Sequence, residues 1–137
     1  MSNVNAPAGL KPIRHATGGA IRTNEYSIAS EYSTSIYAGD VVEMTGTGTN
    51  IAKAAAENVD NIGVFQGCRY VNASGEQVFS SYWPASTVAT DVVAIVADDP
   101  EIVFEVQCDT LAAADIGALC DWHVGTGNAK TGRSGLY

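Results

Sequence analysis

The stretch Val92 to Gln107, VVAIVADDPEIVFEVQ, limits what this chain can fold into more than any other part of it. Val92 to Ala97 is an unbroken apolar run rich in β-branched side chains. It is too short for a helix and suits a strand buried on both faces. Asp98-Asp99-Pro100 then breaks the run with two short polar residues and a proline, which is the chemistry of a turn. Beyond the break, Ile102, Phe104 and Val106 alternate with Val103, Glu105 and Gln107, the period of a strand. The expectation is a pair of strands at the centre of a β core.

The remaining segments agree with an all-β reading. Short apolar stretches are separated by glycine-bearing turns along the 137 residues, a length that suits one domain. Modest strands are expected over Glu25–Ala29 and Val41–Met44. Thr45-Gly46-Thr47-Gly48-Thr49-Asn50 reads as a hairpin tip, with Ile51–Ala55 returning from it. Glu57–Asn61 reads as a polar bend. Ile62–Val71 reads as a long strand whose glycines, Gly63 and Gly67, mark a bulge or the sharp bend of a small barrel. Asn72–Gly75 is a turn, and Glu76–Tyr82 pairs back. Thr110–Asp115 is the one helical candidate, capped by Asp109 or Thr110 and stopped by Gly117. Ala118–Val124 alternates roughly and reads as a last strand, for which no pairing partner is expected before Tyr137. The fold class expected is a small β-barrel or β-sandwich with at most one short helix.

Charge divides the chain in two. Before Glu25 there is no acid, and Lys11, Arg14 and Arg22 give that stretch +3; from Glu25 onward 15 acids face four bases, giving −11. Pro7 and Pro12 push their predecessors toward extended backbone. Residues 1–24 therefore read as an extended basic arm, and residues 25–137 as an acidic β-rich body. Leu10 and Ile13 are the arm's large apolar anchors. Such an arm suits strand addition or groove binding on an acidic partner. A short disordered tail whose charge means little is the competing reading.

The chain opens without a basic, apolar leader, and no apolar run approaches a membrane span. Cys68, Cys108 and Cys120 make an odd number, read as unpaired and mostly buried thiols of a protein made in a reducing cytoplasm.

Chemistry-bearing patterns are sparse. Cys108, Cys120 and His123 supply only one tight ligand pair, short of a zinc site. Asp98, Asp99 and Glu101 lack the spacing and glycine of a calcium loop, so a solvated turn is preferred. No nucleophile elbow is present, and the Gly-x-Gly pairs at 46–48 and 125–127 precede no helix. Tyr70, Phe79, Tyr82 and Trp83 lie on or beside an expected sheet, but the acidic body argues against nucleic acid. Those aromatics read as core or interface residues. No enzyme activity, metal or cofactor is expected.

Three motifs carry a resemblance. Asn5-Ala6-Pro7-x-Gly9-Leu10-x-Pro12-x-Arg14-His15, Val96-Ala97-Asp98-Asp99-Pro100-x-x-x-Phe104-Glu105-Val106-Gln107 and Thr131-Gly132-Arg133-Ser134-Gly135 occur in that order along the chain. Together they resemble the capsid decoration, or cement, proteins of tailed bacteriophages. The resemblance implies a non-enzymatic β-rich virion protein, made in the bacterial cytoplasm, that binds the outer capsid surface. It implies the major capsid protein as partner and a homo-oligomer, a trimer more than a dimer, with arms lying along neighbouring subunits. Neither nucleic acid nor membrane is expected as a direct partner. The family's chains usually continue past the Thr-Gly-Arg-Ser-Gly stretch with another strand or two. Leu10, Lys11, Pro12, Ile13 and Arg14 are the expected capsid contacts. Tyr70, Tyr82 and Trp83 are candidate copy-to-copy contacts, with ordinary core as the competing reading. A head–tail connector or tail-tube subunit, and a surface carbohydrate-binding module using Trp83 and Tyr82, are the alternatives.

Overall fold

The computed structural model describes residues 5–56, 60–108 and 110–137. Among them the chain forms ten strands: β1 (Lys11–His15), β2 (Asn24–Tyr26), β3 (Ile36–Tyr37), β4 (Val41–Met44), β5 (Ile51–Lys53), β6 (Asn61–Asn72), β7 (Gln77–Ser80), β8 (Tyr82–Trp83), β9 (Ala89–Ala97) and β10 (Ile102–Glu105). A single 3-10 turn follows at Ala113–Asp115. The fold is all-β, and every strand pairing is antiparallel.

The main sheet has the order β2-β9-β6-β4-β5, and β7 pairs with the far half of β6. Its two ends meet. The Ser27 amide donates to Thr49 O (3.0 Å), and the Ile51 amide donates to Ser27 O (2.8 Å). Ser27 Oγ also donates to Asn50 Oδ1 (2.7 Å). These bonds join the end of β2 to the start of β5 and roll the sheet toward a barrel. Closure removes the exposed edge that a twisted sheet otherwise offers to other chains.

Alternation sorts the side chains. Val42 and Phe65 belong to a core with Ile36, Ile51, Tyr70, Trp83, Ala94 and Val96. Their neighbours Val41 and Val64 point the other way, into a second cluster with Ala54 and Leu136. On β6 the parity changes after Phe65, because Cys68 and Tyr70 also face the first core. A register shift between Phe65 and Gly67 is the cause, with Gly67 at φ +150°. The extra residue turns the rest of the strand over, which is what glycine inside the strand foretells.

Four expectations are corrected. The apolar run at 92–97 and the strand after it are not partners. β9 already has β2 on one side and β6 on the other, so β10 has no free neighbour there and pairs with β1 in a separate two-stranded sheet. Nor is β9 buried on both faces throughout, since Ile95 is 36% exposed. Ala118–Val124 forms no strand: within it only His123 makes paired backbone bonds, with Tyr137, and residues 118–121 are all exposed. The helical candidate is a single turn without a Thr110 cap; Asp115 Oδ2 accepts the Ala112 amide (2.8 Å) instead. Asp109, residues 57–59 of the expected polar bend and residues 1–4 of the expected arm lie outside the described residues.

Candidate interaction surface

The three motifs, far apart in sequence, meet in space. β1 pairs with β10, matching Lys11 to Glu105 and His15 to Ile102. Before β1, the Ala6 amide donates to Gln107 Oε1 (3.0 Å), and Gln107 Nε2 donates to Asn5 Oδ1 (2.6 Å). The Gly9 amide reaches Leu136 O (3.0 Å) and the Leu10 amide reaches Gly39 O (3.0 Å). Gly9 and Gly39 approach so closely that a Cβ on Gly9 would lie 2.6 Å from Gly39 O. Leu10, Phe104, Val106 and Trp122 cover the second cluster around Leu136. Residues 5–15 are thus part of the folded body, ordered by β10 and by the returning tail.

The Asp-Asp-Pro turn does part of this work. Asp99 Oδ1 accepts the Glu101 amide (3.0 Å), which shapes the turn. Asp99 Oδ2 lies 3.1 Å from His15 Nε2, at the end of β1. The Glu101 amide above all holds the Asp99 carboxyl below the usual range; burial opposes it, and the His15 contact and the Arg22 charge add smaller lowering effects. Asp98 accepts both Asn24 Nδ2 (2.9 Å) and the Tyr26 hydroxyl on β2. That hydrogen bond, more than burial or the Asp98 charge, pushes the Tyr26 phenol up. The two carboxylates therefore tie both N-terminal strands to the turn.

Asp40 and Ser134 form a buried polar lock beneath the tail, at 1% and 2% exposure. Ser134 Oγ donates to Asp40 Oδ1 and accepts the Leu136 amide (3.0 Å). Asp40 Oδ2 accepts the Tyr37 amide (2.8 Å) and faces Lys53 Nζ at 3.4 Å. With its charge paired and its oxygens bonded, the carboxylate avoids the cost of burial alone.

Of the arm residues expected to contact a partner, Leu10 and Pro12 are half-buried, and Leu10 is spent on the second cluster. Lys11, Ile13 and Arg14 are exposed, and Ile13 is 47% open to solvent. The following loop adds Ile21 and Arg22, both exposed. Residues 11–22 thus expose basic and apolar side chains on a chain whose remainder is acidic.

The aromatic expectations are corrected. Trp83 is 0% exposed and Tyr70 6%, and their rings meet edge to face at 5.2 Å in the first core. Neither reaches another copy or a sugar; the barrel interior needs their volume. Tyr82 is half-buried and stacks on Tyr37 at 5.4 Å. Burial, then Cys68 and Tyr82 nearby, raise the Tyr70 phenol.

The thiols also depart from expectation, because only Cys68 is buried. Burial pushes its thiol up to about 12, so it stays protonated and inert. Cys108 and Cys120 are exposed and flank a segment that sequence reading missed. Every residue from Thr110 to Asp121 is exposed, including Leu111 (72%), Ile116 (82%) and Leu119 (103%). Thr110–Asp115 and Ala118–Val124 look like a helical turn and a strand, so nothing in the sequence sets the segment apart as a surface. Burying each such side chain is worth roughly 1.5–3 kcal/mol.

Among the described residues, no three His, Cys, Asp or Glu side chains converge as a metal-ligand set. No described helix is long and apolar enough to cross a membrane. No known protein family, curated protein or solved structure matches the chain.

Proposed function

We propose that this protein is a non-enzymatic virion component that binds the outer surface of a bacteriophage capsid and braces it, bridging major capsid proteins and its own copies. The observation that carries this reading is the exposed set Ile13, Arg14, Ile21 and Arg22, on a basic segment whose β1 is paired to an acidic body. A paired segment loses less entropy on docking than a loose arm would. Its positive charge suits an acidic shell surface, while the acidic body keeps crowded copies apart. The resemblance of the three motifs to capsid decoration proteins supports the same reading. In this chain the three motifs meet at β1, β10 and the tail.

Each contact is modest. Tight binding arises when this segment and a contact to a neighbouring copy engage together, because the second engagement is effectively intramolecular. The test uses mature capsids assembled without this protein. Saturable co-sedimentation of many copies per particle is expected for the intact chain, and R14E/R22E should weaken it strongly. Both positions are exposed, and circular dichroism checks that the variant keeps its fold, whereas deleting the arm would remove a strand. An intact chain that never sediments with shells would refute the proposal.

A further inference from the structure

The exposed segment from Thr110 to Asp121 is not slack chain. The Asp115 amide donates to Ala112 O (3.0 Å), the Ala118 amide to Asp115 O (3.0 Å), and the Asp115 carboxylate accepts the Ala112 amide. Its C-terminal end is fixed as well. Trp122 packs on the second cluster, and His123 exchanges backbone bonds with Tyr137 at 2.6 and 3.1 Å. The loop therefore holds its shape while presenting Leu111, Ile116 and Leu119 to solvent, with Asp115 and Asp121 as its only charged side chains.

The same molecule carries a surface of opposite character. A groove of about 400 Å³ runs between the arm and the barrel. Ala8, Leu10 and Pro12 are among its lining residues, and Lys11 and Arg133 line it with one acid, Glu105. Pairing loop with loop in a two-fold dimer would bring four carboxylates together, which costs energy. Seating the loop in the groove of another copy matches acid to base and apolar to apolar.

We infer that the Thr110–Asp121 loop of one copy docks in the Lys11–Arg133 groove of a second copy of this chain. The contact is head-to-tail, so it closes into a ring when the rotation between copies permits. This deepens the bracing reading, which needs contact between copies, but it is tested without any shell.

Sedimentation of the intact chain across a wide concentration range reads self-association directly. The inference expects concentration-dependent association. L111S/I116S/L119S should weaken it by roughly tenfold or more, as loss of a buried apolar anchor does. R133E should weaken it too, and adding D121R to R133E should recover part of the loss. All these side chains are exposed, and circular dichroism checks that each variant is folded. A chain that stays monomeric throughout, or associates equally well with the loop substituted, would overturn the inference. So would an R133E loss that D121R fails to relieve. A monomer that still saturates shells refutes this contact and leaves the shell-binding proposal standing; an associating chain that ignores shells does the reverse.

Discussion

Ser134 donates its hydroxyl hydrogen to Asp40, and both side chains are shut away from water. The bond joins the turn before β4 to the tail, 94 residues later. Removing one partner leaves the other buried and unsatisfied. D40A should cost about 2–4 kcal/mol, because it also strands Lys53 and the Tyr37 amide. S134A should cost about 1–2 kcal/mol. Urea unfolding of the two variants measures both losses, and D40A should be the larger.

Gly9 sits at φ +76° against Gly39. G9A therefore meets two penalties: left-handed backbone, worth roughly 1–2 kcal/mol, and a methyl driven into the Gly39 carbonyl. Gly46 has nearly the same φ, +80°, with nothing within 4 Å. G46A should show the backbone penalty alone. Thermal unfolding should place G9A well below G46A, and equal midpoints would show that arm and barrel do not pack here as described.

Acid should loosen the Asp-Asp-Pro turn. The Asp99 carboxyl titrates below its ordinary 3.8 in the folded chain. Its contribution is therefore fully present above that value and is lost as the pH falls through the lower, folded one. D99N lacks this step. The stability gap between the native chain and D99N, read by urea unfolding, should shrink below about pH 4. For Tyr26 the sign is reversed. Its raised phenol contributes below its ordinary 10.0 and ceases to as the pH climbs past the folded value, a loss that Y26F should not show.

Thiol labelling separates the cysteines. Cys108 and Cys120 should react with an aromatic disulfide reagent at ordinary thiol rates. Cys68, buried and with its thiol pushed up to about 12, should react only on unfolding. Labelling of Cys68 at the rate of the other two would contradict its place in the core.

The all-β class was legible because strand periodicity and turn chemistry are local. The Asp-Asp-Pro break, the 45–50 hairpin tip and the bulge at Gly67 all follow from residues a few positions apart. Pairing was not legible. That β10 leaves β9 for β1 depends on β9 having both edges occupied by strands distant in sequence. Residues 5–15 look coreless for the same reason, because the groups that hold them are Gly39, Gln107 and Leu136. An aromatic sequence motif does not say which face it lines, so Trp83 and Tyr70 suited an interface as well as a core. The exposure of Thr110–Asp121 was not legible, because its helical candidate and the rough alternation of Ala118–Val124 suggest elements that pack rather than a bare loop.

Bracing, beyond mere binding, is what a shell-stabilising protein must do. The direct measurement is the temperature at which capsids lacking this protein rupture, with and without a saturating amount of it. The account predicts a clear rise with the native chain and little or none with R14E/R22E. Shells coated by the native chain that rupture at the unprotected temperature would contradict it.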